Sequence, residues 1–390
     1  MTTVAYVCAD PGVPVFGTKG ASVHVQELLR AWRRSGATVR LYCTRTGSEV
    51  PADLADVDVV HVPVDGVDDR GLAPVERTAA RERRQREAAD ELARRAVADG
   101  VDLVHERYSL FSTALARVTA ELGVPGVLEV NAPLVEEQRE HRHLVDEAGA
   151  WAALRTQARA ATRVGAVSEP VARWVREHTG LGPDDPRVVV TPNGVNTERV
   201  RPVRGAADGP PVVLFVGTLK PWHGVEVLLE AAALAERPWR LRIVGDGPMG
   251  PELRRRAGEL GLDAEFTGAL PPADVPAAMA GARVAVAPYP AGSDEQQYFS
   301  PLKVYEYAAA GLPVVASAVG QLPAVVRPGR TGLLVPPSDP AALAAAVDDL
   351  LGDPARADRM GDAARALMVR AHSWDAVLDR TAGGLTRRAA

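Results

Sequence analysis

Lys303 and Glu306 stand three residues apart in a run whose punctuation is unusually complete. Ser300 is a preferred N-cap, Pro301 suits the first helical position, Leu302–Ala310 reads as a helix, Gly311 ends it, and Pro313–Ser317 reads as the next strand. Such a start leaves the Leu302 and Lys303 amides at the positive end of a helix dipole with an ammonium in the first turn, a pattern that binds anions. Glu306 shares that face one turn on, where a carboxylate accepts hydrogen bonds from sugar hydroxyls. The competing reading is a solvated helix face with a Lys303–Glu306 pair worth ~0.3 kcal/mol. A second basic group follows Gly217 in the loop TLKPWHG, which carries Lys220 and His223. Glycine at 217 lets backbone approach an anion closely. Two lysines, a histidine and a helix N-terminus on loops leaving one sheet edge suit a diphosphate.

The elements that must position these groups are those of two α/β domains. The chain has 390 residues, 46% of them hydrophobic and 24% charged, which suits two soluble domains. A net charge of −5 gives no global attraction to nucleic acid. No metal spacing, targeting segment or membrane span is expected. Cys8 and Cys43 fall in strand-like runs and read as buried, reduced thiols of a cytoplasmic protein. The opening Val4–Cys8 strand, a loop with Gly12, Gly17 and Gly20, a helix and the strand Thr38–Cys43 form the start of a doubly wound sheet. The glycine loop is expected to move on ligand binding because positive φ costs glycine little. The clusters His105–Tyr108 and Glu129–Pro133 lie at later strand ends, and Arg107 and Asn131 are taken from them as site candidates. The arginine-rich stretch Thr78–Asp99 alternates with acids and reads as a solvated helix, with peripheral membrane contact left compatible. His141 and His143 do not share a helical face, so they do not suggest a metal site.

The run Val200–Pro211 is the best linker, placing a first domain at 1–199, a linker at 200–211 and a second domain at 212–374. After it the β-loop-α pattern restarts. Gly245, Gly247 and Gly250 match G-x-G-x-x-G with Glu265 further on, the pattern of a dinucleotide oxidoreductase. Pro248 removes an amide from the phosphate turn and Glu265 precedes Phe266 inside a strand, so that reading is set aside.

The chain resembles the family 4 glycosyltransferases, in Gly17-Thr18-Lys19-Gly20, Ser168-Glu169, Pro192 to Val195, Phe215 to Gly217, Val244 to Pro248, Phe299 to Gly311 and Ser373-Trp374. The resemblance implies a GT-B fold of two facing Rossmann-like domains, with a final helix at about 375–390 crossing back to the first. It implies a retaining transfer of sugar from a nucleoside diphosphate sugar, UDP before GDP, to an acceptor hydroxyl. No cofactor and no metal are implied. Lys220, Lys303, Glu306 and Asn131 would be catalytic. Gly17, Lys19, Gly20, Arg107, Gly217, His223, Gly245, Phe266, Thr267, Tyr298, Ser300 and Leu302 would line the substrates. The family's E-x7-E pair falls on Tyr298 and Glu306, which leaves Asp294 or Glu295 as substitutes for the first carboxylate. The basic positions after the glycine fall on Thr218 and His223, and a first-domain histidine falls on Asn131. A sugar-nucleotide epimerase, a phosphorylase and a non-catalytic sugar-nucleotide-binding protein remain alternatives.

Overall fold

The computed structural model describes residues 2–64, 71–203, 209–292 and 300–385, apart from the side chain of residue 141. Tyr298, Asp294 and Glu295 therefore lie outside the described residues, as do 204–208 of the expected linker. The chain divides into two compact units, Met1–Asn193 with Trp374–Ala390, and Gly194–Ser373. Residues 194–203 are tied to the second unit by hydrogen bonds: Val195 N–H donates to the His372 carbonyl at 2.8 Å and Val203 N–H to that of Ala310 at 3.1 Å.

The first unit is built on a parallel sheet of β1 (Thr3–Cys8), β2 (Thr38–Cys43), β3 (Asp58–His61), β4 (Leu103–Arg107), β5 (Gly126–Val130), β6 (Arg163–Ala166) and β7 (Val188–Val190). Its order is β3-β2-β1-β4-β5-β6-β7, with every pairing parallel. Sequence runs such as TVAYVC are apolar on both faces because helices cover both sides. Cys8 and Cys43 are register partners on β1 and β2, both buried and unbridged, and burial pushes each thiol up to about 12. The helix Trp374–Ala382 belongs to this unit, where Trp374, Val377 and Leu378 join Val25, Leu28 and Trp32 in one apolar cluster. Arg34 pairs with Asp375 at 2.7 Å on its rim.

The second unit carries β8 (Val212–Val216), β9 (Arg240–Val244), β10 (Ala264–Gly268), β11 (Ala282–Ala287), β12 (Val314–Ser317) and β13 (Gly332–Val335). The order is β10-β9-β8-β11-β12-β13, again parallel. Both sheets reverse their winding beside the first strand of the unit, at β1/β4 and at β8/β11, and it is outside such switch points that open α/β sheets bind ligands. Among the described residues no helix is long and apolar enough to cross a membrane.

Candidate active site

In the second unit the switch point is fixed by one phenol. Val216 ends β8, its N–H donates to Tyr307 Oη at 2.6 Å, and Tyr307 Oη donates to the Val216 carbonyl at 3.3 Å. Tyr307 lies on the helix Leu302–Ala309 and is fully buried, so that helix cannot slide against the strand without breaking both bonds.

The start of this helix differs from the sequence expectation. Pro301, not Ser300, is the N-cap, and no side chain caps the helix. Pro301 has φ −80° and ψ 70°, and Leu302 N–H donates to the Ser300 carbonyl at 2.9 Å. That is an inverse γ-turn centred on the proline, so the Leu302 amide is already engaged.

Lys303 is not a solvated lysine. It is 9% exposed, and its Nζ lies 4.4 Å from the Phe215 ring centre and 5.0 Å from that of Tyr289. Among the described residues Nζ has no hydrogen-bond partner. Burial lowers its pKa to about 7, against a smaller raising influence from Glu306. Gly217, at φ +153°, leaves room for this ammonium: a Cβ there would sit 2.8 Å from Lys303 Nζ. Glu306 is half-buried; burial raises its pKa, with Arg199 and then Lys303 opposing.

His223 sits between the lysines electrostatically. Its Nδ1 lies against the Thr218 carbonyl, which can only accept, so Nδ1 carries the hydrogen. Burial, with Lys303 and Lys220 adding to it, lowers its pKa to about 4. His223 is therefore neutral at pH 7 and offers a lone pair at Nε2, which fits a hydroxyl and not a phosphate. The groups here that can carry positive charge are the two lysines. Lys220 Nζ lies 4.6 Å from the ring of the exposed Trp222.

Gly245, at φ +137°, has a role other than the dinucleotide turn. A Cβ there would stand 2.0 Å from the Gly217 carbonyl oxygen, while Leu219 N–H donates to the Asp246 carbonyl at 3.0 Å. The G-x-G-x-x-G match thus arises from two loops lying backbone to backbone. Phe266 and Thr267 are on the edge strand β10: the Arg254 guanidinium lies 4.7 Å from the Phe266 ring centre, and Thr267 Oγ1 donates to the Gly268 carbonyl at 2.9 Å.

In the first unit Arg107 and Asn131 meet at Glu129, with Arg107 Nη1 3.3 Å from Glu129 Oε1 and Asn131 Nδ2 donating to that oxygen. His24 and His105 complete the cluster. Neither Glu129 nor the histidines stood out as site residues, because they lie up to about a hundred positions apart and are joined only by the pairing of β4 with β5 and by the packing of the helix Gly20–Arg34, which carries His24. Gly17 lies before the helix Gly20–Arg34, Lys19 is its N-cap and Gly20 its first residue. None of Gly12, Gly17 and Gly20 has positive φ. Gly17 is needed for space, since a Cβ would meet Ser22 Oγ at 2.9 Å and Pro14 Cγ at 3.0 Å. The loop is also pinned: Phe16 N–H donates to the Thr46 carbonyl at 2.6 Å and Gln26 Nε2 to the Gly17 carbonyl at 2.9 Å.

Comparison with known proteins decides the family. Residues 18–199 match Glycosyltransferase Family 4 and residues 210–353 match Glycosyl transferases group 1. The D-inositol 3-phosphate glycosyltransferase of Streptomyces scabiei is 35% identical over 311 residues, covering 72% of this chain and 67% of that protein. The chain belongs to the family 4 glycosyltransferases. The sucrose-phosphate synthase of Thermosynechococcus elongatus, 25% identical, superposes with a TM-score of 0.67 over 97% of this chain and 96% of that one. Anabaena HepE, solved in complex with UDP and glucose, is 18% identical with a TM-score of 0.68 over 99% of each chain. The fold is thus that of the GT-B glycosyltransferases. Among the curated relatives first matched, the chain spans between 26% and 67% of their length.

Proposed function

We propose that this family 4 chain transfers a sugar, with retention, from a nucleoside diphosphate sugar to an acceptor hydroxyl. UDP is favoured as the base, with GDP second, and no metal or cofactor takes part. The observation that carries the reading is Lys303: a buried ammonium held against two ring faces with no hydrogen-bond acceptor among the described residues, beside a glycine that keeps the space over it open. Leaving a buried charge so poorly solvated is unfavourable unless a ligand completes it. A diphosphate does so.

In the reaction the bond from the anomeric carbon to the phosphate oxygen breaks, the acceptor oxygen bonds to that carbon on the same face, and the acceptor proton leaves on the departing phosphate. Lys303 and Lys220 stabilise the charge that builds on the leaving group, where one such donor is worth ~3 kcal/mol. Glu306 accepts from ribose hydroxyls. His223, neutral, accepts at Nε2 from a sugar hydroxyl. The cytoplasmic setting suggested by the two buried thiols is part of the same proposal.

The test is product analysis with UDP-glucose, UDP-N-acetylglucosamine and GDP-mannose as donors, with and without D-inositol 3-phosphate, the acceptor in the Streptomyces relative's name. A new glycoside with the donor's anomeric configuration supports the reading. Epimerised sugar nucleotide without acceptor, or binding with neither transfer nor slow hydrolysis, overturns it in favour of an epimerase or a binding protein.

A further inference from the structure

The strand β13 is entered through a tight turn, Val326-Arg327-Pro328-Gly329-Arg330-Thr331, which is fixed from within. The Arg330 and Thr331 N–H groups both donate to the Arg327 carbonyl, at 3.0 and 2.9 Å, and Gly329 N–H donates to the Gly332 carbonyl at 3.0 Å. The buried Thr331 hydroxyl accepts from Arg327 N–H at 2.8 Å and donates to the Val325 carbonyl at 3.2 Å. Gly329 takes a left-handed φ of +73°, and the ring of Pro328 restrains its neighbour. Arg327 and Arg330 are thereby carried on a rigid turn.

The helix Pro354–Leu367 passes into a π-helical stretch, Met368–His372, which carries Arg370. Such stretches are rare and occur frequently at functional sites. The three arginines line one cavity of about 80 Å³, with Thr331, Leu367 and two alanines completing the wall and no carboxylate among the lining residues. Among the described residues no ion pair or side-chain hydrogen bond engages Arg327, Arg330 or Arg370. In the same unit Arg240, Arg242, Arg255 and Arg356 each hold a carboxylate at 2.5 to 2.9 Å. Asp358, on the helix Pro354–Leu367, is taken by Arg283 at 3.7 Å. A single solvated arginine needs no partner. Three gathered around one cavity without an acid repel one another, and an anion between them removes that repulsion.

We propose that this cavity is an anion site, separate from the one at Lys303, that takes a single phosphate group. Its volume is several times the roughly 10–15 Å³ that one water needs and well below the ~300–1,000 Å³ of sites that enclose a whole small molecule. It therefore suits an oxyanion and leaves the remainder of an ester outside. Guanidinium forks meet phosphate oxygens in pairs, and a turn already fixed loses little freedom on binding. The cavity lies at the entry of β13, whereas the loops of Lys220 and Lys303 leave the carboxyl ends of β8 and β11, the opposite edge of the same parallel sheet. Inorganic phosphate and phosphate esters share the chemistry that this site recognises.

The test follows thermal unfolding of the full chain against inorganic phosphate, with sodium chloride at matched ionic strength as the reference. Lys303→Met should keep a saturable rise in Tm beyond that reference, as wild type does. Arg330→Gln/Arg370→Gln should need at least about tenfold more phosphate for the same rise. Arg330→Lys/Arg370→Lys, with the charge but without the fork, should fall between. Both side chains are exposed, and relief of their repulsion should leave the ligand-free Tm of the glutamine variant at or above that of wild type. A lowered ligand-free Tm marks the arginines as structural and overturns the proposal. So does a rise that chloride reproduces, or one that the glutamine variant keeps and Lys303→Met loses. Glycerol 3-phosphate titrated beside inorganic phosphate separates the two sources, the tighter ligand naming the free ion or the ester. None of these readouts uses sugar transfer, so they decide the phosphate site whatever becomes of the glycosyltransferase reading.

Discussion

A lysine at the first turn of a helix was legible as an anion ligand from its spacing, but its burial was not. Nothing in the run SPLKVYEY says that Phe215 and Tyr289, about 90 and 14 positions away, will close over it. Burial has two consequences with opposite signs. The unfolded value of lysine is near 10.4, so between about pH 7 and about pH 10 the unfolded chain binds the extra proton and this group's contribution to stability rises with pH. Lys303→Met, apolar and of similar length, should therefore stabilise the ligand-free protein by on the order of 1–3 kcal/mol in urea denaturation at pH 7, while abolishing function. An unchanged or lowered midpoint would mean that the ammonium is already solvated. Glu306→Gln should leave the fold intact and reduce kcat/KM for the donor by on the order of 10-fold or more, the loss of a charge-assisted acceptor to ribose hydroxyls, which steady-state kinetics at saturating acceptor would register. His223 was read with the two lysines as part of a diphosphate site; burial, with Lys303 and Lys220 adding to it, lowers its pKa to about 4, so at pH 7 it brings no charge of its own.

At the scale of elements, most strands and the helix Leu302–Ala309 could be read from apolar runs and from Gly311, whereas the helix start could not. A serine before a proline looks like a cap, and only the backbone angles of Pro301 reveal a γ-turn that uses the next amide. The phenol of Tyr307 was equally invisible, an aromatic on an apolar face that proves to hold both backbone groups of Val216. Tyr307→Phe leaves the buried Val216 N–H unsatisfied and should cost about 1–3 kcal/mol with an unchanged denaturant slope. Gly245→Ala adds a Cβ 2.0 Å from the Gly217 oxygen at a φ of +137°, and should lower both stability and donor affinity. A variant as stable and as tight-binding as wild type would show that the two loops do not need their close approach. The glycine loop of the first unit was expected to move, yet Val15 to Gly17 are pinned by Gln26 and by residues 45–46. Hydrogen exchange at Phe16 should be slow with or without nucleotide-sugar.

At the scale of the whole molecule, two doubly wound parallel sheets were readable because the β-loop-α alternation restarts after a Pro- and Gly-rich run, and the return of the final helix to the first unit was implied by the family resemblance. What pattern alone did not yield is how each sheet uses its switch point. Among the described residues, the second unit places there a cation with no hydrogen-bond partner, and the first a buried carboxylate with His24 and Arg107 against Oε1 and His105 3.4 Å from Oε2. The first arrangement leaves a buried charge for a ligand to complete, which is what the proposed function rests on.

The most direct measurement is isothermal titration of UDP into wild type and Lys303→Met at pH 8, in two buffers of different ionisation enthalpy. A diphosphate that restores the charge of a lysine titrating at about 7 requires wild type to take up close to one proton on binding, and requires affinity to fall as pH rises above 7. Lys303→Met should show no such uptake and bind on the order of 10²-fold more weakly. UDP binding to Lys303→Met with wild-type affinity would contradict the account.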